Sequence, residues 1–398
     1  MTHFVDSIPS SGIIRIRDMM YAVEKPFRLD QGDVSFDAPE TVRQGMIDAI
    51  AAGHTHYLQT SGVPRLQQLL AAKLRAKNGI PVEDPDEVLV TNGGVHAIYL
   101  LFQALLDPGD EVLIPDPLWP PTAGTIVAAR GRVVRYPLHE AQGWRFDAGE
   151  LAARITGRTR VIYLNSPHNP TGGALTREDL EQVAALARDR DLRVVSDEAY
   201  EDVVYDGEHV SIASLPGMYA RTVPVYTFSK SYAMTGLRLG YLALRDAALR
   251  DRVRKLLFFT TSNVSSVVQY GGIGALQGPQ DVVEAFRTEL RARRDLFFDA
   301  IRAPGGIFAG ERPAGAFYAF LRFDPAWRER ATQLLPAPAA NGGSESWALT
   351  EYLIARGRIG CVPGVDFGPG GEGYIRFCYA RERGELRGAL AALHELFS

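Results

Sequence analysis

From about residue 64 the chain alternates segments of helical period with short β-rich runs, and this alternation constrains the fold more than any other feature of the 398 residues. A β-run, an amphipathic helix and a further β-run in succession describe a mainly parallel sheet covered by helices. Seven runs read as strands, at 87–91, 111–114, 133–136, 160–164, 192–196, 222–228 and 239–244, so one large central sheet is expected. A helix is expected from Pro64 to Lys77, with proline at its start and Gly79 just past its end. Over 176–190 the residues Leu180, Val183, Ala184, Leu186 and Ala187 recur at helical spacing, which gives that helix one face for the sheet. Asp107-Pro108-Gly109-Asp110 reads as a turn.

The pattern changes after about residue 279. A long helix over 280–302 is followed by β-rich runs at 316–323 and 374–379 and by helices near 345–356 and 382–397, which together read as a smaller α+β domain. The stretch 334–344, rich in Pro, Ala, Gly and Asn, reads as an exposed loop. The first forty residues carry Pro26, Gly32 and Pro39, with little helical periodicity after Val23, and read as an arm or part of the small domain. The expected class is therefore α/β, with a large domain at 43–290 and a smaller one built from 1–42 and 291–398.

Composition narrows the function. A chain 46% hydrophobic and 23% charged can bury a sizeable core. A net charge of −4 and a pI near 6.1 leave no basic footprint for nucleic acid, so small-molecule partners are expected. No charged segment precedes an apolar run at the start, and no stretch approaches 18 uninterrupted apolar residues; a cytoplasmic protein with no membrane partner is expected. Cys361 and Cys378 lie in apolar surroundings and read as reduced core residues. His54, His56, His96 and His168 show no metal-ligand spacing and read as packing or capping residues, and no metal is expected.

Four stretches carry chemistry. Lys230 sits among small residues in Thr227-Phe228-Ser229-Lys230-Ser231, with Arg238 eight positions on. A nucleophilic lysine wants such a crowded, desolvated seat, although a lysine at a strand end would look the same by itself. Thr91-Asn92-Gly93-Gly94-Val95-His96-Ala97 follows a strand and opens a helix. The backbone of Gly93, Gly94 and Val95 and the helix dipole can face an anion there, or the pair of glycines can be an ordinary strand–helix turn. Asp197 ends a strand, where an α/β sheet presents its functional groups; a helix N-cap is the plainer reading. Arg376 lies in the apolar run Tyr374-Ile375-Arg376-Phe377, where a charge needs either an anionic ligand or a structural salt bridge.

Together with Ser166-Pro167-His168-Asn169-Pro170-Thr171-Gly172 and Ser196-Asp197-Glu198-Ala199-Tyr200, these runs resemble, from Gly32 to Arg376, the class I/II aminotransferases of pyridoxal-phosphate fold type I, of the aspartate and aromatic kind. The resemblance implies a homodimer with shared active sites and pyridoxal 5'-phosphate as cofactor. It makes Lys230 the Schiff-base lysine and proton shuttle, Asp197 the partner of the ring nitrogen, and Tyr200 and Asn169 donors to the ring oxygen. Trp119, in Pro115-Asp116-Pro117-Leu118-Trp119-Pro120-Pro121, would stack on the ring, although an aromatic between prolines also suits a core. The phosphate would be held by Gly93, Gly94, Val95, Thr227, Ser229 and Arg238, with Tyr57 reaching over from the neighbouring subunit. The family usually carries a serine or alanine at Gly94, so a side-chain contact is lost there while backbone contacts survive. Arg376 would clamp the substrate α-carboxylate, with Gly32 and Asn169 beside it, and Asn165 lines the same strand end.

The implied reaction moves the amino group of an L-amino acid to a 2-oxo acid, 2-oxoglutarate by family habit, by a ping-pong course through pyridoxamine phosphate. Aspartate-like and aromatic donors lead on resemblance alone. The same motifs serve lyases, decarboxylases, γ-replacement enzymes and oxidases on the same fold. A ligand-sensing regulator would need a DNA-binding segment that some forty residues cannot supply, and a nicotinamide dehydrogenase would need a Gly-x-Gly-x-x-Gly run after a strand.

Overall fold

The structure is a computed structural model and describes residues 3–302, 306–332 and 343–397. All seven expected strands form: β1 (Val88–Thr91), β2 (Glu111–Asp116), β3 (Arg132–Pro137), β4 (Thr159–Asn165), β5 (Arg193–Asp197), β6 (Thr222–Thr227) and β7 (Gly240–Ala243). They make one sheet in the order β1-β7-β6-β5-β4-β2-β3. β7 pairs antiparallel with both its neighbours and the remaining pairs are parallel, so six strands share one direction. Period-two alternation divides each strand between the two faces. Val112, Val161, Tyr163 and Val195 pack with the helix Gly94–Leu105, whereas Leu113, Ile162, Leu164 and Val194 pack with the helix Arg177–Asp189. Burial on both faces is why these strands read as nearly continuous apolar runs. In the second helix Leu180, Val183, Ala184 and Ala187 are buried as the spacing predicts, with Leu186 at the margin.

A second sheet is wholly antiparallel, in the order β10-β11-β9-β8, from β8 (Phe308–Ala309), β9 (Tyr318–Phe323), β10 (Val362–Pro363) and β11 (Tyr374–Cys378). The helices Asp281–Ile301, Glu345–Gly357 and Arg383–Leu396 cover it and share one core with it. The first of these runs unbroken past residue 290. Its Val283 packs with the main-sheet cluster, whereas Leu290, Phe297, Phe298 and Ile301 pack with the second. The loop expected over 334–344 lies outside the described residues except for Gly343 and Ser344, and Ser344 caps the helix that follows. The helix Gly12–Tyr21 buries Ile16 and Met20 against Trp347 and Ile354, so part of the N-terminal arm lies on the second unit. Both cysteines are free and buried. Among the described residues no helix is long and apolar enough to cross a membrane.

Candidate active site

The strand directions bring the sequence motifs to one edge. The C-terminal ends of β1, β4, β5 and β6 and the start of β7 lie there, with Asn165 opposite Asp197 and with Thr91 and Thr227 both opposite Gly240. An open α/β sheet binds ligands at such an edge, where strand ends leave backbone groups and loops unpaired. A cavity of ≈ 220 Å³ opens at it, and Gly94, Val95, Trp119, Asn165, Asn169, Asp197, Tyr200, Thr227, Ser229, Lys230 and Arg238 line it from the main sheet. Gly32, Tyr318 and Arg376 close it from the second unit, with Ile13 from the N-terminal helix.

Lys230 lies in the one-turn helix Phe228–Ser231, which β6 delivers and the Thr227 side chain caps. Its Nζ donates to the Gly32 carbonyl at 2.5 Å. Burial lowers its pKa to about 8 against the opposing pull of the Asp33 carboxylate, because the protein interior disfavours the ammonium form. Asp197 is also buried, and burial raises its pKa to about 6 although its Oδ2 accepts from the Tyr163 hydroxyl at 2.8 Å and its Oδ1 from the Ala199 N–H at 3.2 Å. Asp197 thus lines the cavity and caps no full helix turn.

Arg376 reaches in from β11. It is 2% exposed, donates to the Asp30 carbonyl at 2.7 Å and to Asn169 Oδ1 at 3.1 Å, and has a buried Nε with no partner. Among the described residues no carboxylate lies within 4.0 Å of its guanidinium, which removes the structural salt bridge as an account of it. The Asn169 oxygen being occupied by Arg376 leaves its amide nitrogen as the free donor. Tyr200 pairs with Tyr318 through their hydroxyls at 2.7 Å.

At the other end, the helix Gly94–Leu105 begins with no side-chain cap. Gly93 has φ +78° and its own N–H donates to the Thr91 carbonyl at 2.9 Å, so the donors left for a ligand belong to the first helical turn. A Cβ on Gly93 would lie 2.3 Å from the Arg238 guanidinium, so glycine is needed for the arginine to cross the loop. Arg238 holds the left-handed region, φ +56° and ψ +53°, a strained placement for a non-glycine residue, and donates to the Thr235 carbonyl at 2.9 Å. The Thr227 hydroxyl accepts from the Ser229 N–H at 3.1 Å, which caps the turn, while its own hydrogen has Ser229 Oγ at 2.8 Å and the Leu239 carbonyl at 3.1 Å as acceptors.

Tyr57 stands apart: 88% exposed, it lies outside the cavity wall of the single chain. His168, which burial lowers to about 3, pairs with Thr171 Oγ1 at 2.8 Å, and His96 bridges the Asn92 N–H and Thr260, as packing and capping residues do. No cluster of metal-binding groups occurs among the described residues. Sequence reasoning missed Ile13, Tyr163, Tyr318 and Gly240. A Cβ on Gly240 would meet the Gly93 and Gly94 backbone at 2.7 and 2.9 Å, so that glycine lets the anion loop sit against β7. Its only signal was its place after Leu239 at a strand start.

A mainly parallel seven-stranded α/β sheet with this edge is the fold-type I architecture of pyridoxal-phosphate aminotransferases. The pattern that defines aminotransferases of class I and II matches residues 24–393, and the chain belongs to that family, whose members use pyridoxal phosphate. It is 33% identical to aromatic-amino-acid aminotransferase 2 of Thermococcus litoralis over 98% of this chain and 97% of that one. It is 36% identical to the arginine–pyruvate transaminase of Pseudomonas aeruginosa over 89% and 85%. The solved aspartate aminotransferase of Rhizobium meliloti superposes with a TM-score of 0.90 at 32% identity, over 100% of this chain and 98% of that one. The chain is an aminotransferase.

Proposed function

We propose that this aminotransferase binds pyridoxal 5'-phosphate in the described cavity and moves the amino group of an L-amino acid to a 2-oxo acid, 2-oxoglutarate being the expected acceptor. The observation that carries the reading is Arg376, a buried guanidinium with no carboxylate partner among the described residues, which faces the same cavity as Lys230 and Asp197. The residues suit the cofactor. An uncapped helix start with Arg238 beside it fits a phosphate, and a buried carboxylate fits a protonated ring nitrogen.

When bound, the cofactor supplies an aldehyde that captures amines and a ring that spreads negative charge from the substrate α-carbon. Arg238 and the first turn of the Gly94 helix grip the phosphate. Asp197 keeps the ring nitrogen protonated, Tyr200 and Asn169 donate toward the ring oxygen, and Trp119 covers a face. Lys230, whose pKa is lowered to about 8, would hold and move the substrate α-proton, as base and then as acid. Arg376 clamps the α-carboxylate through its planar fork. The wall also carries apolar Ile13, Val95, Ile98 and Trp119 beside polar Asn165, Thr227, Ser229 and Tyr318, a mixed surface on which the donor side chain is chosen. Relatives named for aromatic amino acids, arginine and aspartate leave that choice to such wall residues.

A panel of amino acids added to holoenzyme should convert the cofactor spectrum and release one 2-oxo acid per site; release of carbon dioxide, ammonia or hydrogen peroxide instead would select a decarboxylase, lyase or oxidase. Arg376→Lys keeps the charge and loses the fork, so amino-acid affinity should fall about 10-fold or more while cofactor affinity holds. Unchanged amino-acid binding would place the clamp elsewhere.

The site is shared in this reading. Hydrogen bonds Leu58–Asn263 and His96–Thr260 lay three segments side by side, and these expose Tyr57, Tyr99, Phe258 and Phe259 next to the helix that carries Val95. A homodimer would cover this apolar surface and let Tyr57 reach the partner's phosphate site. Tyr57→Ala should loosen the cofactor by ~1–3 kcal/mol. Mixing it with Lys230→Ala at limiting cofactor should restore activity after subunit exchange, because one site of the hybrid is then intact; exchange without recovery would refute sharing.

A further inference from the structure

The two buried hydroxyls at the mouth of Arg376 have no role in the family pattern quoted above beyond that of Tyr200. Tyr200 and Tyr318 are 4% and 1% exposed, both face the cavity, and their hydroxyl oxygens lie 2.7 Å apart. Each phenol has one hydrogen to give, and among the described residues neither hydroxyl has another partner. One of them therefore donates to the other and one hydrogen is left over. The Arg376 guanidinium stacks 4.5 Å from the centre of the Tyr318 ring, and a cation there draws electron density from the phenol and makes it the better donor. Gly32 makes room for the arrangement, since a Cβ at that position would lie 2.3 Å from the Tyr318 hydroxyl.

We propose that Tyr318 is a positioning residue, which donates to Tyr200 and thereby turns the Tyr200 hydroxyl hydrogen into the cavity toward the cofactor ring oxygen. The inference rests on the reading of the cavity as a pyridoxal-phosphate site. Donation from Tyr318 polarises Tyr200 and strengthens the bond it gives, because consecutive hydrogen bonds in a buried chain reinforce one another. Through Tyr318 the substrate anchor also touches the group that sets the ring's charge: a carboxylate arriving at Arg376 neutralises the cation over the Tyr318 ring and weakens the relay.

The test is the pH at which the visible absorbance of the bound cofactor changes, read in wild type, Tyr200→Phe, Tyr318→Phe and the double variant, with cofactor affinity measured alongside. Tyr318→Phe removes one hydroxyl and keeps the ring, and should move the transition upward by ~0.5–1 pH unit because the ring-oxygen anion loses part of its stabilisation. Tyr200→Phe should move it further. In the Tyr200→Phe background, Tyr318→Phe should add nothing, since Tyr318 acts only through Tyr200. A transition that moves in Tyr200→Phe but not in Tyr318→Phe overturns the proposal alone, as does an equal Tyr318 effect in both backgrounds. Absence of any visible pH-dependent band in the cofactor-loaded wild type overturns the cofactor reading, and the relay with it.

Discussion

Replacing Lys230 with alanine should lower turnover by several orders of magnitude while the protein still binds pyridoxal phosphate. In the proposed reading the amine is both the nucleophile toward the cofactor aldehyde and a base that burial, by lowering its pKa to about 8, makes usable near neutrality. In the same reading Arg238 and the uncapped Gly94 helix start would hold the phosphate without it. Borohydride treatment of the wild-type holoenzyme followed by peptide mapping should place the cofactor on Lys230, and a label on any other lysine would sink the assignment. The pKa has its own signature in the cofactor-free protein. Burial disfavours the ammonium, so the neutral amine appears at lower pH, and modification of Lys230 by a small electrophile should rise with a midpoint near pH 8 rather than near the ordinary 10.5. A midpoint matching surface lysines would mean that the seat is wet.

Asp197→Asn should slow proton abstraction by ~10²-fold or more, because the ring nitrogen loses the charge that keeps it protonated and the electron sink fails, while the phosphate grip remains. Single-turnover rates close to wild type would refute the role. The stability of the cofactor-free protein should respond in the opposite sense. The buried carboxyl has its folded pKa raised to about 6 from 3.8, so folding carries no ionisation penalty below about pH 4, acquires it between the two values, and carries it in full above pH 6. Asparagine carries no such penalty. The melting temperature of the variant relative to wild type should therefore improve as the pH rises from 4 to 7, on top of a constant loss from one of the two hydrogen bonds to Tyr163 and Ala199. A flat difference across that range would show that Asp197 stays ionised and solvated, against the buried geometry. A residue that weakens the empty fold and serves the loaded one is the expected trade at an active site.

Short-range physics writes part of this protein into neighbouring residues, where it can be read directly. Seven β-runs, the helices between them and the strand-end positions of Asp197 and the Gly93-Gly94 turn follow from apolar period, turn chemistry and the rule that parallel strands present function at one edge. Lys230 stood out because its small neighbours are adjacent in the chain. Other contacts arise only when distant segments pack together. Tyr318 meets Tyr200 across 118 residues, Tyr163 meets Asp197 across 34, and Arg376 finds Asn169 across 207 and the Asp30 carbonyl across 346. No local pattern marks such partners, for a tyrosine in a buried strand reads as core whether or not its hydroxyl points at a carboxylate. That no carboxylate among the described residues pairs with Arg376 is likewise a property of everything packed around it, because the cost of a buried charge is set by what its neighbours fail to supply.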